Sequence, residues 1–341
     1  MLSERQLEVV LAVVYEYIKT NEPVGSRSLS KRYLKGRSAA TIRNEMSDLE
    51  EEGFFTQPHT SAGRVPTEKA YRVYVDNILQ RQRKFSSFGD SYVKGLENQR
   101  RDTEDLLFHI SRLLSKVTNC MGMTALTPLK EIRLMRVDFI RIDSRHVLAI
   151  VILEGGLVHH RTFGVPWDVG QEELDDLARR ISLLAAGRPW RAVREDLLSF
   201  MQQELERNRE YCRSAMREMD DLLLSMSSYR FFTGETRYLL GQPDFKDITK
   251  LQAVLSLLEE ESSLANLVES VSLQKEEGIQ VTIGAEHPEL HSRECSLVLA
   301  PAEVGGCEAL IGLIGPVRMD YENAITTVET LIRVLENRES P

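Results

Sequence analysis

Between Glu22 and Glu45 the chain carries Arg27, Lys31, Arg32, Lys35, Arg37 and Arg43 and not one acidic residue. This basic stretch lies across three amphipathic segments joined by breaks so short that the segments must pack on one another. In the first, Leu7, Val10, Leu11, Val14, Tyr17 and Ile18 recur at three and four spacing, and Ser3 with Gln6 forms a capping box at its start. Asn21-Glu22-Pro23-Val24-Gly25 interrupts the pattern, and Ser26 is expected to cap a short second helix carrying Leu29 and Tyr33. Lys35-Gly36 closes that helix. A third helix is expected from the N-cap Ser38 to Gly53, burying Ile42, Met46 and Leu49 and turning Ala40, Arg43, Asn44 and Ser47 the other way.

Charge then separates this unit from the rest. The whole chain has a formal net charge of -9, yet residues 1–84 carry net +3 and the remainder net -12. A basic face on an otherwise acidic protein points to one confined site for a polyanion. Asp48, Glu50, Glu51 and Glu52 occupy the end of the third helix, so only its N-terminal half can approach phosphates. The positive end of the helix dipole lies there as well. Phe54-Phe55-Thr56-Gln57, a turn-rich Pro58 to Arg64, and Val65-Pro66 read as two short strands around a loop tipped by Arg64. Three helices and such a wing are the parts of a winged helix-turn-helix, whose last helix enters the major groove of DNA. The candidate DNA contacts are Ser26, Arg27, Lys31, Arg37, Ser38, Ala40, Thr41, Arg43, Asn44, Ser47 and Arg64. Among them Arg43 suits guanine and Asn44 suits adenine by bidentate bonding. The competing reading, a three-helix unit that docks a protein, does not account for the acid-free stretch falling on the docking helix.

Longer strings carry a family resemblance. Pro23-Val24-Gly25-Ser26-Arg27, Ser30-Lys31-Arg32-Tyr33, Ser38-Ala39-Ala40-Thr41-Ile42-Arg43-Asn44-Glu45-Met46 with Leu49-Glu50, and the wing text Thr60-Ser61-Ala62-Gly63-Arg64-Val65-Pro66-Thr67 with Tyr71-Arg72 and Tyr74-Val75 resemble the HrcA family of heat-inducible transcription repressors. Gly241-Gln242-Pro243-Asp244-Phe245 and Gly315-Pro316-Val317-Arg318-Met319-Asp320-Tyr321 extend the similarity over nearly the whole chain. Leu34-Lys35-Gly36-Arg37 departs from it in the turn before the third helix. The resemblance implies a repressor of chaperone operons that binds an inverted-repeat operator and is kept active by the GroEL chaperonin. It also implies a GAF-like domain interrupted by an inserted dimerisation domain.

The remaining pattern agrees with a multidomain α+β chain. Thr67 can cap a helix with Tyr71, Tyr74, Val75 and Ile78 on one face, followed by a linker at Phe85-Ser86-Ser87-Phe88-Gly89. Leu106 to Val117 forms a further amphipathic helix; Ile132 to Ile142, His146 to Leu153 and Leu157 to Val165 read as a meander of hairpins, and Glu172 to Ala186 as a helix. Strands recur at Ile279 to Ile283, Ser296 to Ala300 and Ala309 to Ile314, before a last helix from Tyr321. The expected division is a DNA-binding head at 1–84, a GAF-like domain in two parts at 85–189 and 246–341, and an inserted, mainly helical dimerisation domain at 190–245. Within the insertion Leu198, Met201, Leu205, Asn208, Cys212, Ala215, Met219, Leu222 and Met226 alternate at three and four spacing over four heptads. Leu198, Met201, Leu205, Cys212, Met219 and Leu222 are the candidate dimerisation residues, with a seam packed inside its own subunit as the equal alternative.

Other functions find little support. The longest apolar run, Val147 to Leu153, falls far short of the roughly 20 residues of a membrane-spanning helix. The acid-containing start Ser3-Glu4-Arg5-Gln6 is unlike a signal peptide, so cytoplasmic residence is expected. Cys120, Cys212, Cys295 and Cys307 form no C-x-x-C pair. His287, His291 and Cys295 have helical spacing for a metal, but Pro288 and Gly284 argue for a loop, and neither metal nor cofactor is expected. His159 and His160 in a strand point to opposite faces. No nucleotide-binding glycine motif or catalytic constellation occurs, which argues against an enzyme. A winged-helix regulator that senses a small molecule in the GAF-like domain is the second reading.

Overall fold

The structure is a computed structural model that describes residues 2–59, 62–81, 103–127, 133–153, 158–165, 168–185, 229–259, 261–272, 278–287, 295–304 and 307–339, with isolated positions between 188 and 217. The candidate dimerisation residues Leu198 to Leu222 lie outside them.

Local signals set the first elements. Helix α1 (Glu4–Thr20) begins where the Ser3 hydroxyl accepts from the Gln6 N–H and the Gln6 side chain accepts from the Ser3 N–H, and ends at Asn21 in the left-handed conformation. Helix α2 (Ser26–Arg32) starts one residue earlier than a Ser26 cap requires: Gly25 is the N-cap and Ser26 the first helical residue. Helix α3 (Ala39–Glu51) has its expected cap, with Ser38 Oγ accepting from the Thr41 N–H at 3.0 Å. Gly53, at φ 82°, turns the chain into a hairpin of β1 (Phe55–Thr56) and β2 (Val65–Pro66), antiparallel with Phe55 opposite Pro66. Helix α4 (Glu68–Arg81) buries Ala70, Tyr71, Tyr74, Val75 and Ile78. The Thr67 hydroxyl does not cap it, donating instead to the carbonyls of Gly53 and Phe54. Helix α1 is buried around more than one stripe, because Val9, Val13 and Glu16 are enclosed along with Val10 and Val14. It is the central helix, in contact with α3, β2 and α4.

Two separate antiparallel sheets follow. The larger has the order β7-β3-β10-β9-β8, formed by β3 (Met121–Leu126), β7 (Arg230–Thr233), β8 (Gln280–Ile283), β9 (Cys295–Val304) and β10 (Cys307–Pro316). Both faces are covered. Val298, Ala300, Ala309, Ile311 and Leu313 join one apolar cluster with α5 (Thr103–Thr118) and the last helix, which we label α10 (Tyr321–Glu339). The alternate residues Met121, Met123, Leu297, Leu299 and Ile314 join a second cluster with α8 (Ile248–Glu259) and α9 (Glu261–Ser272), which follow the short α7 (Arg237–Leu240). The smaller sheet is the expected meander, β4 (Leu134–Arg141), β5 (His146–Leu153) and β6 (Val158–Gly164), backed by α6 (Gln171–Ala185).

The meander does not share a sheet with the late strands; the strand of 85–189 that joins them is β3. Strand β3 precedes the meander and pairs on one side with β10 (Ala309 opposite Leu126) and on the other with β7 (Met123 opposite Thr233). Between β3 and β7 the described residues include the separate sheet of the meander and its helix α6. Pairing across the interruption is decided by long-range packing that no local pattern records.

Candidate nucleic-acid interface

Helix α3 is built as a two-sided rod. Ile42 and Leu49 are fully enclosed and Met46 is buried, while Ala40, Thr41, Arg43 and Asn44 are exposed and Ser47 is half-buried. Positions 40, 43, 44 and 47 share one face by helical spacing. Arg27 and Lys31, four apart on α2, are exposed as well. Arg27, Lys31, Arg43 and Asn44 thus all present their side chains to solvent.

The two other candidate arginines are placed differently. Arg37 sits in the turn before α3, half-buried, where its guanidinium pairs with Glu8 of α1, lies 3.8 Å from Glu45 of α3 and donates to the Arg5 carbonyl at 3.3 Å. It bridges α1 to α3. Arg64 does not tip the hairpin loop, which corrects the sequence expectation. Its backbone exchanges hydrogen bonds with Val24 at 2.8 and 2.9 Å, and its side chain, 15% exposed, turns back to Glu50 of α3 at 2.7 Å. The physical reason is the carboxylate-rich end of α3, which offers an arginine a nearer partner than solvent.

A group that sequence reading missed holds α2 in place. Glu16, in the apolar middle of α1, is 5% exposed and accepts from Tyr33 Oη at 2.6 Å, Arg32 Nη1 at 2.6 Å and Ser28 Oγ at 3.3 Å. The hydrogen bond to that carboxylate, with burial adding to it, pushes the Tyr33 hydroxyl up to about 12. The available signal was its spacing from Val9 and Val13, which puts an acid on a buried face. Beside this hub, a cleft of about 860 Å³ opens between α1, α4 and α10, with Tyr15, Tyr33, Tyr74 and Arg81 in its walls. It lies against the head and not within the larger sheet, so it gives the ligand-sensing reading no support there. His287 is buried after β8, and no group of three or more potential metal ligands occurs among the described residues.

Residues 104–325 match the family model described as the HrcA protein C terminal domain. The chain belongs to the HrcA family. It is 36% identical over 335 residues to a heat-inducible transcription repressor HrcA of Pelotomaculum thermopropionicum, covering 98% of this chain and 96% of the relative. An HrcA repressor of Desulforamulus reducens is 32% identical over the same shares of the two chains. A solved structure of a hypothetical protein, determined at 2.2 Å resolution, shares the fold with a TM-score of 0.68 at 24% identity, covering 99% of this chain and 98% of that one. Among the described residues of this HrcA-family chain, no helix is long and apolar enough to cross a membrane.

Proposed function

We propose that this protein is a cytoplasmic, non-enzymatic transcriptional repressor of heat-shock chaperone operons. Residues 4–66 act in it as a winged helix-turn-helix that places α3 in the major groove of an inverted-repeat operator. The observation that carries the reading is the exposed face of α3: Arg43 and Asn44 stand on it beside the small Ala40 and Ser47, with the opposite face wholly buried. Small neighbours let the helix sit deep enough for an arginine and an amide to reach base edges. The relatives are named for heat-inducible repression, and the reading extends that role to this chain. In it, the larger sheet forms a GAF-like body, a homodimer presents two heads, and the GroEL chaperonin favours the DNA-competent form over misfolded ones, since a partner shifts an equilibrium only through differential affinity.

The test is selection of duplexes from a random pool by the full chain, followed by affinity measurements for the selected site and for random DNA. Arg43→Ala and Asn44→Ala are each expected to cost about 1 to 3 kcal/mol on the selected site and little on random DNA. Equal losses on both would remove base reading from α3. Failure to enrich any inverted repeat would overturn the repressor assignment itself.

A further inference from the structure

Charged side chains lock the head to the body at two separate helices. Arg318, in the turn between β10 and α10, is 13% exposed and forks onto Asp244 of the 3-10 helix after α7, at 3.2 Å from Nε and 2.8 Å from Nη2. Its remaining Nη1 donates at 3.0 Å to the carbonyl of Ile18, in the last turn of α1. Carbonyls at that end of a helix have no partner within it and carry the negative end of the dipole. On the other side, Arg72 of α4 forks onto Glu286, with Nε at 2.7 Å from Oε1, and donates from Nη2 to the Val281 carbonyl of β8 at 2.6 Å. Glu286 is itself held by the Ile283 N–H at 2.9 Å, and Glu68 of α4 accepts from the Ala285 N–H at 3.3 Å. Between the two anchors the Tyr71 ring packs 6.0 Å from that of Tyr321.

Apolar packing is non-directional and by itself tolerates slip or rotation of one body on another. A guanidinium fork held by a carboxylate is not tolerant, because both hydrogen bonds require one plane and one direction. The Arg72–Glu286 fork crosses from head to body, and Arg318, its plane fixed by Asp244, adds a directed hydrogen bond to α1; contacts on two different helices fix a rotation that one alone would leave free. Helix α3 packs on α1 and α2, so the direction of its exposed face follows the direction of α1. Neither arginine lies on that face, and neither is needed to build it.

We propose that Arg318 and Arg72 are positioning residues for operator recognition: they hold the head at one angle to the body, and so set the half-site spacing that a dimer accepts. This rests on the proposed reading of the protein as a dimeric DNA-binding repressor. A rigid pair of heads should bind well at one spacing and poorly when the second half-site is rotated out of line. Loosened heads should bind less well at the correct spacing, having lost preorganisation, but should discriminate less.

The experiment uses the full-length protein, its Arg72→Met and Arg318→Met variants, and two duplexes that carry the same inverted repeat. In the second duplex the half-sites are moved apart by about 5 bp, half a helical turn. The wild type is expected to bind the shifted duplex at least about tenfold more weakly, and each variant to narrow that ratio to below about threefold while staying dimeric with unchanged helical content. Variants that keep the wild-type ratio would overturn the proposal, and so would a wild type indifferent to spacing. A wild type that binds no inverted repeat would overturn the functional reading beneath it. Should Arg318→Met fail to fold, Arg72→Met decides alone, since its partner Glu286 lies at the surface and tolerates loss of the pair.

Discussion

Glu16 shows how much one side chain decides in the head. Its carboxylate is the acceptor for three donors on α2 and the residue after it, and it gives up water to do so. Glu16→Gln should destabilise the head by about 1 to 3 kcal/mol, read as a fall in thermal midpoint. Ultraviolet difference titration against Tyr33→Phe should show Tyr33 ionising near its usual value in Glu16→Gln, instead of at about 12. Because the folded-state value lies above the unfolded one of 10, this contribution is fully present below pH 10 and is lost as pH rises from there through about 12. Arg64 acts at the junction of hairpin and helix. Paired with Glu50 and bonded through its backbone to Val24, it ties the hairpin to α3 and to the turn before α2. Arg64→Ala should therefore cost about 1 to 3 kcal/mol of head stability. It should leave the salt dependence of DNA binding unchanged, whereas a phosphate-contacting arginine would flatten that slope by about one ion. A flattened slope with unchanged stability would return Arg64 to the DNA surface.

At the scale of elements, two close approaches set the layout. A Cβ on Gly63 would lie 2.4 Å from the backbone carbon and oxygen of Val24, so the hairpin can reach the turn before α2 only with glycine there. On the body, a Cβ on Gly122 of β3 would lie 2.0 Å from the Ser111 carbonyl, and one on Gly234, just after β7, 2.4 Å from the same atom. Helix α5 thus sits down on the sheet, and Ser115 Oγ accepts from the Gly122 N–H at 2.8 Å. Gly63→Ala and Gly122→Ala should each cost about 1 to 3 kcal/mol through overpacking against backbone, the first lowering the stability of the head and the second that of the body, as local hydrogen exchange can separate. These approaches also mark where sequence legibility stops. Helices α1 to α4, the meander and the face of α3 could be read because caps, breaks and periodicity are local. Strand β3 could not: Met121-Gly122-Met123-Thr124-Ala125-Leu126 contains weak strand formers and is buried on both faces, so it shows no alternation. Likewise the ion pairs that turn Arg37 and Arg64 inward depend on Glu8, Glu45 and Glu50, whose nearness is a product of folding.

For the whole molecule, the consequences concern assembly. If the heptad over 198–226 joins two subunits, Leu205→Lys with Met219→Lys should bury unpaired charge at one heptad position and split the dimer. Sedimentation should then show monomers with nearly unchanged helical content, and operator affinity should drop by at least about tenfold, since the second head would no longer bind intramolecularly. A dimeric, fully active double mutant would place the subunit contact elsewhere, and an unfolded one would make the seam an intrachain core. The larger sheet has a consequence in time as well as space. Strand β3 at 121–126 lies between β7 at 230–233 and β10 at 307–316, so neither neighbour exists when β3 leaves the ribosome. At about 5 to 20 residues per second, synthesis from the end of β3 to the end of β10 takes about 10 to 40 s. Throughout that interval Met121, Met123 and Ala125 belong to a strand with at least one open edge, on a nascent chain surrounded by other proteins.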